Sequence, residues 1–325
     1  MQVIIPLAGK GTRLRPHTHL VPKPLLKVAG RPVMDWVMDR LQGLDVTELI
    51  FITGHLKEQV EAFARSRYQI PSRFIEQKVQ DGTAGAINLA RPYVKGPVLI
   101  IFVDTVFEAD LTLINRSDAD GIIWAKEVED YQRFGVVVTD ARGYMTRIVE
   151  KPSTPVSKLA NIGLYYIRAV DSLWKGIDHV LANPANKGEW YLTDAFQWMI
   201  EHGKRILTAE VGGWYDCGKL DTLLETNEIL LRNGAARRKE FPGVIIHDPV
   251  YIEDGVTIER SEIGPNVSLE AGTRITGSRV RNTIVGRQAT LDAVHLDRSM
   301  LGSGVVLKGF RGNTSLGDHS ELTAD

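Results

Sequence analysis

From Ile252 to Leu307 the apolar positions keep a spacing that very few backbone paths can use. Ile252, Leu269, Val285 and Leu301 follow one another at steps of 17, 16 and 16, and Ile258, Ile275, Leu291 and Leu307 repeat those steps. Ile263, Val280 and Leu296 fall between them, so the whole series advances by five or six. Neither the 3.6-residue period of a helix nor the two-residue period of a strand gives that pattern. A coil with three short faces per turn does, because it stacks equivalent positions into one internal column. Gly264, Gly286 and Gly302 recur at equivalent corners. The alternation between the longer and the shorter step implies that some corners are tightened. Residues 244–325 are therefore expected to form a short left-handed parallel β-helix.

Positions 1–233 have a different texture. The run Val3-Ile4-Ile5 reads as a buried strand, and Val33, Trp36, Val37, Leu41 and Leu44 recur at helical spacing. Strands follow at 49–52, 73–76 and 98–103, with helices at 58–65 and 85–91 between them. Strand, helix, strand is the unit of a parallel sheet. The expected fold is α/β: a Rossmann-like, mostly parallel sheet over 1–233, a linker at 234–243, and the β-helix. Residues 134–139 and 147–149 read as a hairpin about a turn at 140–143. Thr193 or Asp194 suits the cap of a helix carrying Ala195, Trp198 and Met199. A last helix covers 220–231.

Composition limits the function classes. The 325 residues carry a net charge of −1, so no basic surface argues for nucleic acid, and phosphate affinity has to come from local sites. One cysteine, Cys217, excludes an intramolecular disulfide and disfavours a cysteine-built zinc site. That fits a reducing cytoplasm. The chain opens into a strand without a charged-then-apolar leader, and no apolar run approaches about 18 residues, so neither secretion nor membrane spanning is expected.

The first strand runs into Leu7-Ala8-Gly9-Lys10-Gly11-Thr12-Arg13, and Lys23 follows between Pro22 and Pro24. Two glycines let main-chain N–H groups approach a phosphate closely, and Arg13 offers a planar, permanently charged fork. Lys23 adds a second cation on a stiff, proline-flanked loop. By itself the pentapeptide also fits an ordinary strand-to-helix turn with a solvated arginine. It lacks the ending of a P-loop and the third glycine of a dinucleotide fingerprint.

The whole string, however, resembles the signature of the sugar-1-phosphate nucleotidyltransferases: a strand, then Gly-x-Gly-Thr-Arg, then Pro-Lys-x-Leu. Ile5-Pro6-Leu7-Ala8-Gly9 is most similar to the branch that joins UTP to glucose 1-phosphate. Four further segments follow in family order. Gln77 and Gly82, in EQKVQDGTAGA, match the pair that reads a uracil or thymine base, although a solvated loop would look similar. Asp104 ends the strand at 98–103 where the family commonly has Gly-Asp-Asn; here Val103-Asp104-Thr105 departs from it. Glu150-Lys151-Pro152 matches the segment that meets sugar hydroxyls and the sugar phosphate, with Gly135 and Asn161 lining the same pocket; a surface Glu-Lys pair is the plainer alternative. Asp216, in Trp214-Tyr215-Asp216-Cys217-Gly218, matches a second metal carboxylate, or it caps the helix beginning near Lys219.

The resemblance implies a cytoplasmic enzyme that transfers a nucleotidyl group from an NTP, UTP or dTTP, to a sugar 1-phosphate, glucose 1-phosphate foremost. Leu7, Ala8, Gly9, Gly11, Thr12, Gln77 and Gly82 would bind the nucleotide. Gly135, Glu150, Lys151 and Asn161 would bind the sugar phosphate. Arg13, Lys23, Asp104 and Lys151 would be catalytic, with Mg²⁺ between Asp104 and Asp216. Trp190, Trp198 and Trp214 suit either core or base stacking, and the basic run 237–239 reads as solvated. His247, His295 and His319 are isolated, which argues against acyl transfer by the β-helix. The solenoid end, an unpaired strand edge, offers a surface for homo-oligomers. Two rivals remain: a guanylyltransferase acting on mannose 1-phosphate, and a non-catalytic subunit that binds nucleotide-sugar.

Overall fold

The computed structural model describes residues 1–185 and 188–324. These divide into two compact units, Met1–Gly9 with Val37–Trp214, and Lys10–Trp36 with Tyr215 onward. We call them the sheet unit and the coil unit.

In the sheet unit, described strands run in the order Met145–Glu150, Gly135–Thr139, Leu159–Ile167, Val98–Ile101, Gln2–Pro6, Glu48–Thr53, Ser72–Glu76. Gly121–Glu127 pairs with Leu159–Ile167, and Ile206–Glu210 pairs with Gly121–Glu127. The last four strands of the main order are mutually parallel, with Ile4 opposite both Ile50 and Ile100. All three isoleucines are fully buried, as continuous apolar strands covered on both faces require. Antiparallel pairing begins where Leu159–Ile167 meets Val98–Ile101 and continues into the expected hairpin. The helices Val170–Ala182 and Leu192–Glu201 add Leu173, Ile177, Phe196 and Met199 to the same core.

Several elements are shorter than periodicity suggests. The helix expected at 85–91 runs Thr83–Asn88, and a 3₁₀ turn follows at Arg91–Tyr93. Pro92 explains the break, since it has no backbone N–H to donate to the carbonyl of Asn88 four residues earlier. The period over 33–44 resolves into a helix, Val33–Met38, and a 3₁₀ turn, Asp39–Leu41, which still buries Leu41.

The coil unit contains three parallel five-stranded sheets, one per face. Their registers are those of the spacing: Ile252, Leu269, Val285 and Leu301 stand opposite one another, as do Ile258, Ile275, Leu291 and Leu307. Each such side chain fully buried contributes about 1.5–3 kcal/mol. Gly286 and Gly302 follow strands of one sheet and Gly264 a strand of another, so the three are not equivalent corners as expected. Gly264 and Gly286 are each needed for close approach. A Cβ on Gly264 would lie 1.9 Å from His247 O, and one on Gly286 would lie 2.6 Å from Gly302 C. One further coil follows, in which Leu316 and Leu322 continue two columns at a shortened step of 15 while Gly312 ends the third. The basic run 237–239 is paired with acids: Arg237 and Lys239 bind Asp254, and Arg238 binds Glu240 and Asp248.

Candidate active site

Loops after three adjacent parallel strands are laced together at their carboxyl ends, where open α/β sheets bind ligands. Leu7 N–H donates to Ile52 O at 2.7 Å and Gln77 N–H to Thr53 O at 2.8 Å. Gln80 Nε2 donates to Ala8 O at 2.6 Å. Ala8 sits so close over Gly54 that a Cβ there would lie 2.7 Å from Ala8 O. Gly9 is exposed with open space about it.

Gln77 is buried, and its amide nitrogen donates to Asp81 Oδ1 at 2.9 Å and Gly82 O at 3.3 Å. That leaves its carbonyl oxygen as the group a ligand could use. Gly82 has φ of +115°, and a Cβ on it would lie 2.4 Å from Trp190 O. Trp190 clamps this loop through its own backbone: its N–H donates to Asp81 O and its carbonyl accepts Ala84 N–H, both at 2.9 Å. Gln80 and Trp190 thus hold the loop at Ala8 and the loop at 81–84, a role that sequence position alone does not suggest. Trp198 stacks on His202 at 3.7 Å, and Trp214 packs edge-on to Phe134 at 4.9 Å.

Gly135, Glu150, Lys151 and Asn161 come together on three adjacent strands. A Cβ on Gly135 would lie 2.4 Å from Asn161 Nδ2 and 2.8 Å from Glu150 Oε2. Asn161 Nδ2 donates to Gly135 O at 2.8 Å, and Asn161 Oδ1 accepts from the Tyr165 hydroxyl. Burial pushes the Glu150 carboxyl above its ordinary range, with Lys151 and a hydrogen bond from Thr193 pulling the other way. Lys151 Nζ stands 3.8 Å from Glu150 Oε1 and 4.7 Å above the Tyr191 ring. Its backbone is left-handed, φ +44°, a strained state that tends to persist at working sites.

Thr193 does not cap its helix. The helix spans Leu192–Glu201 with Tyr191 at the N-cap, and the Leu192 N–H is taken by the Thr83 hydroxyl at 2.8 Å. Thr193 lies one residue inside the helix, and its hydroxyl donates to Glu150 Oε2 at 3.0 Å. Asp194 likewise lies inside the first turn. Asp104 is half-buried between the strands Val98–Ile101 and Thr105–Glu108. Beside it the buried Thr105 hydroxyl has no partner among the described residues.

The remaining candidates belong to the coil unit. Gly11 has φ of +60°, and a Cβ there would lie 3.0 Å from Thr18 Cγ2 and 3.2 Å from Lys23 Cβ. The Thr18 hydroxyl donates to Gly11 O at 2.9 Å. Thr12 and Arg13 are exposed on the 3₁₀ turn Thr12–Leu14, and Lys23 opens the turn Lys23–Leu25. Asp216 Oδ1 accepts Gly218 N–H at 2.7 Å. A Cβ on Gly218 would lie 2.8 Å from that oxygen and 3.7 Å from Lys23 Nζ, so carboxylate and ammonium flank one glycine. Asp216 is not a helix cap: Lys219 occupies the N-cap of Leu220–Leu230.

The sheet unit thus pairs a glycine at the end of its first parallel strand with a carboxylate and a lysine on its antiparallel side. The chain belongs to the Nucleotidyl transferase family, whose pattern matches residues 2–233. It is 34% identical over 261 residues to a bifunctional protein GlmU of Methanococcus aeolicus, covering 80% of this chain and 62% of that one. The chain thus spans about three fifths of the length of that relative. It is 26% identical to a glucose-1-phosphate thymidylyltransferase of Streptomyces griseus, over 100% of this chain and 94% of the other. A solved structure of a putative glucose-1-phosphate thymidylyltransferase from Bacillus anthracis superposes with a TM-score of 0.61 at 26% identity, covering 70% of this chain and 94% of that one. No described helix is long and apolar enough to cross a membrane.

Proposed function

We propose that the protein transfers a nucleotidyl group from UTP or dTTP to a sugar 1-phosphate, glucose 1-phosphate foremost, releasing pyrophosphate. The observation that carries this reading is half-buried Glu150, fixed by Thr193 and flanked by Lys151. It is a carboxylate suited to sugar hydroxyls beside a cation suited to a sugar phosphate. On the nucleotide side, the Gln77 carbonyl accepts the N3–H that uracil and thymine both present, and the Gly82 region meets the rest of the base edge.

A phosphate oxygen of the sugar 1-phosphate attacks the α-phosphorus, and the bond from that phosphorus to the bridging oxygen breaks as pyrophosphate leaves. The nucleophile is already an anion at neutral pH, so no general base is needed. Rate comes from alignment and neutralisation of charge. Arg13 receives the departing β- and γ-phosphates, Lys23 the crowded α-phosphate, and Lys151 the incoming phosphate. Asp104 and Asp216 would supply hard oxygen donors to Mg²⁺. Among the described residues no group of three or more His, Cys, Asp or Glu side chains suited to a metal assembles. That fits Mg²⁺, which keeps waters and substrate phosphates in its shell rather than a full protein cage. When bound, Mg²⁺ would neutralise phosphate charge.

The test is pyrophosphate release across UTP, dTTP, CTP, GTP and ATP with glucose, mannose and glucosamine 1-phosphates. Turnover confined to UTP or dTTP is expected. Preference for GTP with mannose 1-phosphate would replace this reading with the guanylyl one. Folded protein that binds nucleotide without turnover would point to a non-catalytic subunit.

A further inference from the structure

The signature loop, positions 10–36, belongs structurally with the distant part of the chain that begins at Tyr215. It has little regular structure of its own. Three 3₁₀ turns, Thr12–Leu14, His17–His19 and Lys23–Leu25, lead to a short hairpin, Lys27–Val28 with Arg31–Pro32. A segment of that kind is ordered chiefly by what it packs against.

Three separate ties hold it. At the hairpin, Lys27 Nζ lies 2.9 Å from both Glu253 Oε1 and Glu270 Oε2, and the other Glu253 oxygen accepts Ala271 N–H at 2.8 Å. Beside it, Asn227 is 1% exposed. Its side-chain oxygen accepts Ala29 N–H at 2.8 Å and the Ser268 hydroxyl at 2.6 Å, and its nitrogen donates to Asn266 O at 3.2 Å. Thr226, the preceding residue, donates to Asp216 O at 3.0 Å. Successive residues of one helix therefore hold the hairpin, the β-helix and the backbone of Asp216. At the other end, His17 Nε2 pairs with Ser315 Oγ at 2.9 Å, and Gly317 packs on Pro16.

Buried polar groups met on every side have one low-energy arrangement, and breaking one member leaves the others unsatisfied. The loop so held carries Arg13 and Lys23, whose placement decides how well they meet phosphate charge. We propose that Asn227, Lys27 and Glu270 are positioning residues for nucleotidyl transfer, through which the β-helix holds the signature loop in its catalytic conformation. The inference rests on the functional reading above for the roles of Arg13 and Lys23. It assigns the solenoid a part in the reaction without any contact of its own with substrate.

The experiment uses the full chain with Asn227→Ala, Glu270→Gln and Lys27→Met. Glu262→Gln is the control, since that β-helix carboxylate pairs with Arg279 and His247 and not with the loop. Steady-state pyrophosphate release, thermal unfolding and amide hydrogen exchange over 10–26 are measured together. A misplacement of the loop by about 1 Å predicts a fall in kcat of up to about 100-fold. The unfolding temperature falls, because partners are left unsatisfied. At an assay temperature where the variants are still folded, the KM for sugar 1-phosphate stays near wild type, kcat falls and exchange over 10–26 speeds up. Lys27→Arg, which keeps the charge, restores part of the rate. Folded variants with wild-type kcat, or losses explained wholly by the unfolded fraction, overturn the proposal. If Asn227→Ala does not fold, Glu270→Gln decides, because it replaces one oxygen and keeps the shape. A wild-type protein without turnover overturns the functional reading instead, and exchange over 10–26 then tests the brace: unchanged rates in the variants overturn that too.

Discussion

The Thr193 hydroxyl donates to Glu150 Oε2 at 3.0 Å. This one contact ties the first turn of a helix to the end of the hairpin strand, and it sets the carboxylate that the proposed reaction turns toward the sugar. Burial raises the Glu150 pKa, and the bond from Thr193 counters that rise. Thr193→Val should therefore leave the carboxyl higher still and less well aimed. Loss of a hydrogen bond to a charged group, about 1.5–3 kcal/mol, predicts about a 10–100-fold lower kcat/KM for sugar 1-phosphate. The nucleotide KM should not move. Equal loss on both substrates would show a general disruption instead.

Glu150 itself carries an opposed prediction for stability. A carboxyl whose folded pKa is raised above its unfolded value favours the fold below the unfolded pKa and loses that contribution as pH rises through the folded one. Above the unfolded pKa, the desolvation of Glu150 is thus a cost to the fold. Glu150→Gln should raise the unfolding temperature at pH 7 relative to wild type, and the gap should close near pH 4. It should lower sugar-phosphate turnover at the same time. A drop in both at pH 7 would contradict the burial argument.

Arg13→Ala and Lys23→Ala remove one preorganised cation each. The usual cost of such a contact, about 2.7–4 kcal/mol, predicts a fall of about 10²–10³ in kcat. Arg13 is exposed, so its removal should leave thermal stability unchanged. Wild-type turnover in either variant would remove that residue from the mechanism.

Much of this arrangement is visible in the sequence, and what is not visible shares a physical cause. The β-helix register is legible because every column position is buried alike, so one rule, apolar at a fixed step, covers Ile252 to Leu301 and Ile258 to Leu307. The last coil escapes that rule because Gly312 interrupts a column and the step shortens. Gln77, Gly82, Glu150 and Lys151 stand out as motif members, but the groups that hold them do not. Thr193 precedes a helical pattern and so reads as a cap; the helix starts one residue earlier, at Leu192, whose N–H the distant Thr83 hydroxyl accepts, and Thr193 bonds Glu150 instead. Asn227 and Lys27 look like ordinary helix and hairpin residues. Their partners lie at no period along the chain, and polar pairs of that kind leave no pattern for sequence to report.

Gly82 tests the nucleotide side. With φ of +115° and Trp190 O 2.4 Å from an added Cβ, Gly82→Ala forces the loop off the Trp190 backbone. A residue held in a sparsely populated backbone state costs about 1–3 kcal/mol. Because Gln77 donates to Gly82 O, the damage should reach the amide proposed to read the base. Calorimetric titration should find weaker UTP or dTTP binding, with the sugar-phosphate KM less affected. Undiminished nucleotide affinity would separate this loop from base recognition.

His17 couples the stability of the coil unit to acid. It is 3% exposed, its Nε2 faces Ser315, and its pKa is lowered to about 4, chiefly by burial, with Asp318 pulling weakly upward. The unfolded chain binds a proton at this site near pH 6.5 and the folded one only near pH 4, so between those values protonation favours unfolding. The contribution is fully present above about pH 6.5 and declines as pH falls toward 4. Its full size, set by the gap between those two values, is on the order of 3 kcal/mol. His17→Gln keeps a polar side chain facing Ser315 but has no proton to gain in this range. Its unfolding free energy, measured by denaturant titration at pH 7.5 and at pH 5, should vary less with pH than that of wild type. An equal pH slope in the two proteins would assign the acid sensitivity to other groups.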